Sequence, residues 1–112
     1  MNVKQHFEAR DPKVRRIYDR VVDVSESFGA VKQDPKKTSI HLTNRTAFAG
    51  VAVRKDAIVL TIKSAGDIPS ARIAKREKVS ANRWHLEVRL NDPKDVDPEL
   101  TIWLQAAYEI SA

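Results

Sequence analysis

From Trp84 to Ile110 the spacing of apolar residues changes from every second position to every third or fourth, and this change constrains the fold more than any other feature. Trp84, Leu86, Val88 and Leu90 alternate with His85, Glu87 and Arg89. Successive side chains of a strand point to opposite faces, so one face is apolar and the other polar. Pro93 ends the run because it cannot donate to a ladder. Asp97 then supplies a capping oxygen, Pro98 fits the first helical position, and Glu99 suits the positive end of the helix dipole. Leu100, Trp103, Leu104 and Ala107 follow at i, i+3, i+4 and i+7, one stripe of a helix over Pro98 to Ile110. That stripe needs a cover, and the apolar face of the preceding strand is the nearest one.

Similar signals recur upstream. Asn2 can cap a short helical piece with Val3 and Phe7 at i, i+4. Asp11-Pro12 repeats the cap-plus-proline start, and Val14, Ile17, Tyr18 and Val21 continue at helical spacing, so a helix is expected from Pro12 to about Ser27, with Gly29 as a stop. Asp34-Pro35 reads as a turn or strand entry. Three strands are expected next, over Lys37–Thr43, Thr46–Arg54 and Ala57–Lys63. Asn44-Arg45 serves as a two-residue hairpin loop and Lys55-Asp56 as a turn. Ala47, Ala49, Gly50 and Ala52 suggest close approach by a neighbouring element, and Gly50 marks a possible bulge. Ser64 to Ser70 reads as a loop. Ala71 to Lys78 is basic and fits either a short helix or a charge-protected edge strand. The fold class expected is α+β, an antiparallel β-sheet of 4–5 strands with the N- and C-terminal helices packed on one face, forming one domain over residues 1–112.

Composition narrows the function. At 112 residues the chain can bury about two thirds of its unfolded surface, enough for one core. Hydrophobic residues at 42% and charged residues at 31% fit an ordinary globule and argue against a disordered tail. The lack of cysteine excludes disulfides, thiolate nucleophiles and cysteine metal sites. No apolar run approaches the roughly 20 residues that span a bilayer, and Met1 to Arg10 has no signal-peptide h-region. No membrane partner is expected, and the cytoplasm is the default location. The net charge of +5 is unevenly placed: +1 over residues 1–30, +8 over 31–91 and −4 over 92–112. A basic middle attracts anionic partners, nucleic acid among them, unless the acidic C-terminal helix of the same molecule neutralises it.

Several segments look familiar as a set. They are Val3-Lys4-Gln5-His6-Phe7, Val14-Arg15-Arg16-Ile17-Tyr18-Asp19-Arg20, Pro35-Lys36-Lys37-Thr38-Ser39-Ile40, Asn82 to Leu90, Asp95 to Leu100, and Trp103-Leu104-Gln105-Ala106-Ala107-Tyr108. Together they resemble a family of small bacterial domains of unknown function. Its members stand alone or lie at the C-terminal end of larger proteins, some labelled predicted transport proteins or associated with nucleases. The layout is similar, more distantly, to the YdhG-like and YjbR-like small α+β domains. The resemblance covers nearly the whole chain and implies a fold. It brings no activity and no catalytic residues.

Candidate chemistry is sparse. His6, His41 and His85 lack HxH or HExxH spacing, so no metal site is expected, and surface or capping roles suffice. Lys36 and Lys37 before a strand could hold a phosphate or carboxylate, but no Gly-rich loop or helix start accompanies them. No serine elbow, dinucleotide fingerprint or carboxylate cluster is present, so no catalytic residues and no cofactor are expected. The main candidate is the polar sheet face: Lys36, Lys37, His41, Arg54, Lys63, Arg83, His85 and Arg89, with Arg45, Arg72 and Arg76 nearby. Such a face could track a phosphate backbone, although the aromatics that usually stack bases fall on apolar faces. The expectation is a non-catalytic binding module for an anionic partner. One alternative is a small-molecule or enzymatic pocket between the N-terminal helix and the sheet, near Lys36, Lys37 and Tyr18. Another is a homo-oligomeric interaction module, a homo-dimer being its simplest form.

Overall fold

A computed structural model describes residues 1–112. Helix α1 spans Val3–His6, α2 Pro12–Glu26 and α3 Pro98–Glu109. The strands are β1 Lys32–Pro35, β2 Ile40–Thr43, β3 Ala47–Val53, β4 Ile58–Ser64, β5 Ile73–Ser80 and β6 Arg83–Leu90. One start device recurs three times. Asp11, Asp92 and Asp97 each precede a proline, and each accepts a backbone N–H from the turn it opens, at 2.9 Å. They cap α2, a 3-10 turn at Pro93–Asp95, and α3. A carboxylate here satisfies an orphan donor, and the proline removes another.

The sheet has six strands in the order β1-β2-β3-β4-β6-β5, all antiparallel, where four or five are expected from sequence. The two edge strands account for the difference, because neither carries an apolar alternation. β1 is Lys-Gln-Asp-Pro and is recruited by pairing from Lys32↔Thr43 to Pro35↔Ile40. The Tyr18 hydroxyl also donates to Gln33 from α2. A proline is tolerated there because β1 lies at an edge. β5 resolves the open question over Ala71–Lys78 in favour of an edge strand, with only Ile73 buried. It reaches the sheet through the tight turn at Ala81-Asn82 and its pairing with β6. The strand expected from Lys37 begins at Ile40, and the β2–β3 loop has three residues, Asn44 to Thr46, with a register shift beside it. Gly50 lies inside the regular ladder, paired with His41 and Thr61, so it does not mark that bulge.

One sheet face carries the core. Ile40, Leu42, Val51, Leu60, Ile62, Leu86 and Val88 close on Val14, Ile17, Val21, Leu100 and Leu104 in a single cluster of 22 buried residues. Both long helices bury an apolar stripe against this face, which is the packing their spacing predicts. Phe28, Phe48 and Tyr108 meet at the far end with ring centroids 5.3–5.8 Å apart. There the Tyr108 hydroxyl donates to the Ala30 carbonyl at 2.9 Å. The β2–β3 loop caps the end of α3, with the Arg45 and Thr46 N–H groups donating to the Ser111 carbonyl. No helix is long and apolar enough to cross a membrane.

Candidate functional site

The opposite face of the sheet carries no helix. Its outward residues follow from register. Asp34, His41, Gly50, Thr61, Glu87 and Lys75 form one row across all six strands. Lys63, His85 and Glu77 belong to the next row on one side, and Ala52, Val59 and Arg89 to the next on the other. β3 turns its large side chains, Phe48, Val51 and Val53, into the core. Its outward positions are Ala47, Gly50 and Ala52. Taller residues stand on both neighbouring strands, so the centre of the face sinks.

The molecule has one pocket, a depression of about 300 Å³ at this point. Ala47, Gly50, Ala52 and Thr61 floor it. Ser39 and His41 form the wall on the β2 side, and Lys63 and His85 the wall on the other. No carboxylate lies among its ten lining residues. Lys63 Nζ donates to Thr46 Oγ1 at 3.1 Å and forms no ion pair. Partial burial pushes the Lys63 ammonium below the ordinary lysine range, and the charge of nearby Arg83 lowers it further. Two uncompensated cations therefore stand side by side at the rim.

The eight residues singled out from sequence separate into two groups. His41, Lys63 and His85 line the depression, and Arg83 adjoins it. Lys36, Lys37, Arg54 and Arg89 lie toward the opposite end of the sheet. Lys36 is bound to Asp34 at 2.9 Å, and Arg89 faces Asp56 at 3.5 Å. That contact with Lys36, through a hydrogen bond, holds the Asp34 carboxyl below the usual carboxylate range. Lys37 and Arg54 are exposed in turns. Arg72 and Arg76 do not serve this face. Arg72 binds Asp97 and Glu99 beside α3, and Arg76 binds Asp67 together with the carbonyls of Ile68 and Ser70. Glu77 and Glu87 share the face with their basic neighbours and approach His85 and Lys75. The face as a whole is thus mixed in charge; Lys63 and Arg83 at the depression form no ion pair, and neither do Lys37 and Arg54 at the opposite end.

No concavity lies between α2 and the sheet, because Tyr18 is buried against Phe7 and hydrogen-bonded to Gln33. That pocket is withdrawn. His41 and His85 stand three strand spacings apart, about 14 Å, too far to share an ion. His6 is spoken for on another element, where its Nε2 meets the Lys36 carbonyl at 2.8 Å.

Residues 3–111 match the family described as a domain of unknown function, DUF5655. The chain belongs to that family. The DUF5655 match takes in every helix and strand described above, so the open face and its depression lie wholly within the family unit. No curated protein and no solved structure matches the chain. What DUF5655 sequence reading missed is the floor of the site. Its signal was present in the small outward residues of β3, which read as room for a neighbouring element when they are room left open.

Proposed function

We propose that this DUF5655 domain is a non-catalytic binding module that takes the phosphate backbone of a nucleic acid at the depression on its open sheet face. The observation that carries the reading is the lining. The single concavity is lined by one ammonium that forms no ion pair and by two imidazoles; no carboxylate lines it, and the nearest ones, Asp34 beside His41 and Glu77 at 3.8 Å from His85, stand outside it. An ammonium without a counter-ion, next to a guanidinium, attracts a phosphate oxygen. Charge at this spot supplies affinity and orientation, not sequence reading.

Anisotropy of a labelled single-stranded oligonucleotide tests the proposal. Two phosphate contacts, from Lys63 and Arg83, give a log–log salt slope of about −1.4, so a fourfold rise in salt weakens binding about sevenfold. Lys63→Glu weakens binding at least tenfold, whereas Arg89→Glu, removing a cation already facing Asp56, changes it less than threefold. Affinity indifferent to salt and to Lys63→Glu refutes the module as described.

A further inference from the structure

Gly50 has no structural reason to be glycine. It lies in the middle of a central strand, and its φ is not in the positive region, where only Gly29 is found among the glycines. A Cβ at Gly50 would meet only His41 Cδ2, at 3.9 Å, an ordinary contact. Neither backbone conformation nor packing therefore calls for a glycine. Glycine inside a strand weakens it and often marks a bulge or a place where another backbone or a ligand comes close; Gly50 sits in a regular ladder and no backbone lies over it, which leaves the ligand. What the missing side chain leaves is open space above the sheet, beside the His41 ring.

The shape of that space restricts its occupant. The trough runs along β3 between β2 and β4, two strand spacings or about 10 Å apart. A volume of about 300 Å³ is at the lower bound of small-ligand sites, about 300–1,000 Å³. A peptide gains affinity on a sheet by adding to a free edge, but the ladder of β3 is taken on both sides by β2 and β4. A flat ring needs no ladder. It finds a smooth floor in Gly50 and Ala52, an imidazole beside it, and the hydroxyls of Ser39 and Thr61 for its edge atoms. Lys63 stands one row away, within a sugar's reach of the ring. We infer that the trough over Gly50 seats one unpaired nucleobase of the strand whose phosphate Lys63 holds, so the module selects single strands over duplex. This rests on the nucleic-acid reading above and adds the base to it.

The experiment compares three labelled probes of equal length: a single-stranded oligonucleotide, an abasic strand with the same phosphates, and a duplex. Stacking on an aromatic side chain is worth about 5- to 150-fold per base, and with a single imidazole beside the trough the low end of that range applies. Wild-type protein binds the base-bearing strand at least fivefold more tightly than the abasic strand or the duplex. Gly50→Val raises Tm by a few degrees, since a β-branched residue suits a strand, yet brings the base-bearing strand down to the abasic level. Gly50→Ala does the same to a smaller extent and has steric room to fold. His41→Ala loses the preference and His41→Phe keeps it. Equal binding of base-bearing and abasic strands by wild type, equal binding of the duplex, or unchanged base preference in Gly50→Val overturns the inference while leaving the phosphate site standing. Failure of Lys63 to matter for any probe removes the phosphate site itself.

Discussion

Replacing Arg72 by alanine tests how far the basic middle of the chain is consumed internally. Its Nη1 donates to Asp97 Oδ1 and Oδ2 at 2.9 and 3.0 Å and to Glu99 Oε1 at 3.0 Å. Its Nη2 donates to the Asp95 carbonyl at 2.8 Å. The guanidinium also lies 5.6 Å from the centroid of the Trp103 ring. The carbonyl bond is worth about 1 kcal/mol. The carboxylate contacts are partly exposed and screened, so together they contribute about 0.5–1 kcal/mol. The ring contact adds about 0.5–1 kcal/mol. Arg72→Ala therefore costs about 2–3 kcal/mol. With a urea m-value of roughly 1.5–2 kcal/mol/M for a chain of this size, the midpoint falls by about 1–2 M. Arg72→Lys keeps the charge, loses the forked geometry and recovers less than half of the loss. A double-mutant cycle with Asp97→Ala leaves a residual coupling of about 0.5–1 kcal/mol. Loss below about 0.5 kcal/mol, the level of an ordinary surface substitution, would show that these contacts do not hold the β4–β5 connection to α3, and would return Arg72 to the pool of cations free for a partner.

The remaining predictions concern acid stability and the contact between α2 and α3. The N–H of Leu100 holds the Asp97 carboxyl below the usual carboxylate range, and Arg72 reinforces it. A carboxyl depressed in the folded state contributes stability above its unfolded value of about 3.9 and loses it as pH falls through the lowered folded value. Asp97→Asn should therefore flatten the loss of stability below about pH 4, measured as Tm against pH; a parallel offset of the two curves contradicts the assignment. At Gly29 the φ is +150°, and an added Cβ would clash with the Tyr108 hydroxyl oxygen. Gly29→Ala should cost about 2 kcal/mol or more, combining backbone strain with the clash. Tyr108→Phe should recover only the part due to the hydroxyl, and full recovery would mean that the backbone is unstrained.

How much of this was legible beforehand depends on the range over which each feature is decided. Asp97, Pro98, Leu100 and Leu104 announce α3 because capping and helical faces depend on residues one to four apart. The alternation of β4 and β6 is equally local, and both strands lie where their spacing puts them. β1 and β5 carry no such pattern. Lys32–Pro35 and Ile73–Ser80 are strands because β2 and β6 offer them unpaired backbone groups, which no short window of sequence reveals. The same holds for the site. His41, Lys63 and His85 could be assigned to one face by parity alone, and all three line the depression, with the two imidazoles on opposite walls. Arg72 and Arg89 bear the same charge, but their standing depends on Asp97 and Asp56 arriving from elsewhere in the chain.

By itself the sequence determined the helices, the paired central strands and the side of the sheet that becomes core, because near-neighbour chemistry decides those. Only the tertiary structure decided that β6 inserts beside β4 and sends β5 to the edge, which cations remain uncompensated, and that a low strand lies between two taller ones. Each of these is a relation between segments distant in the chain, and a hollow exists only through the height of its neighbours.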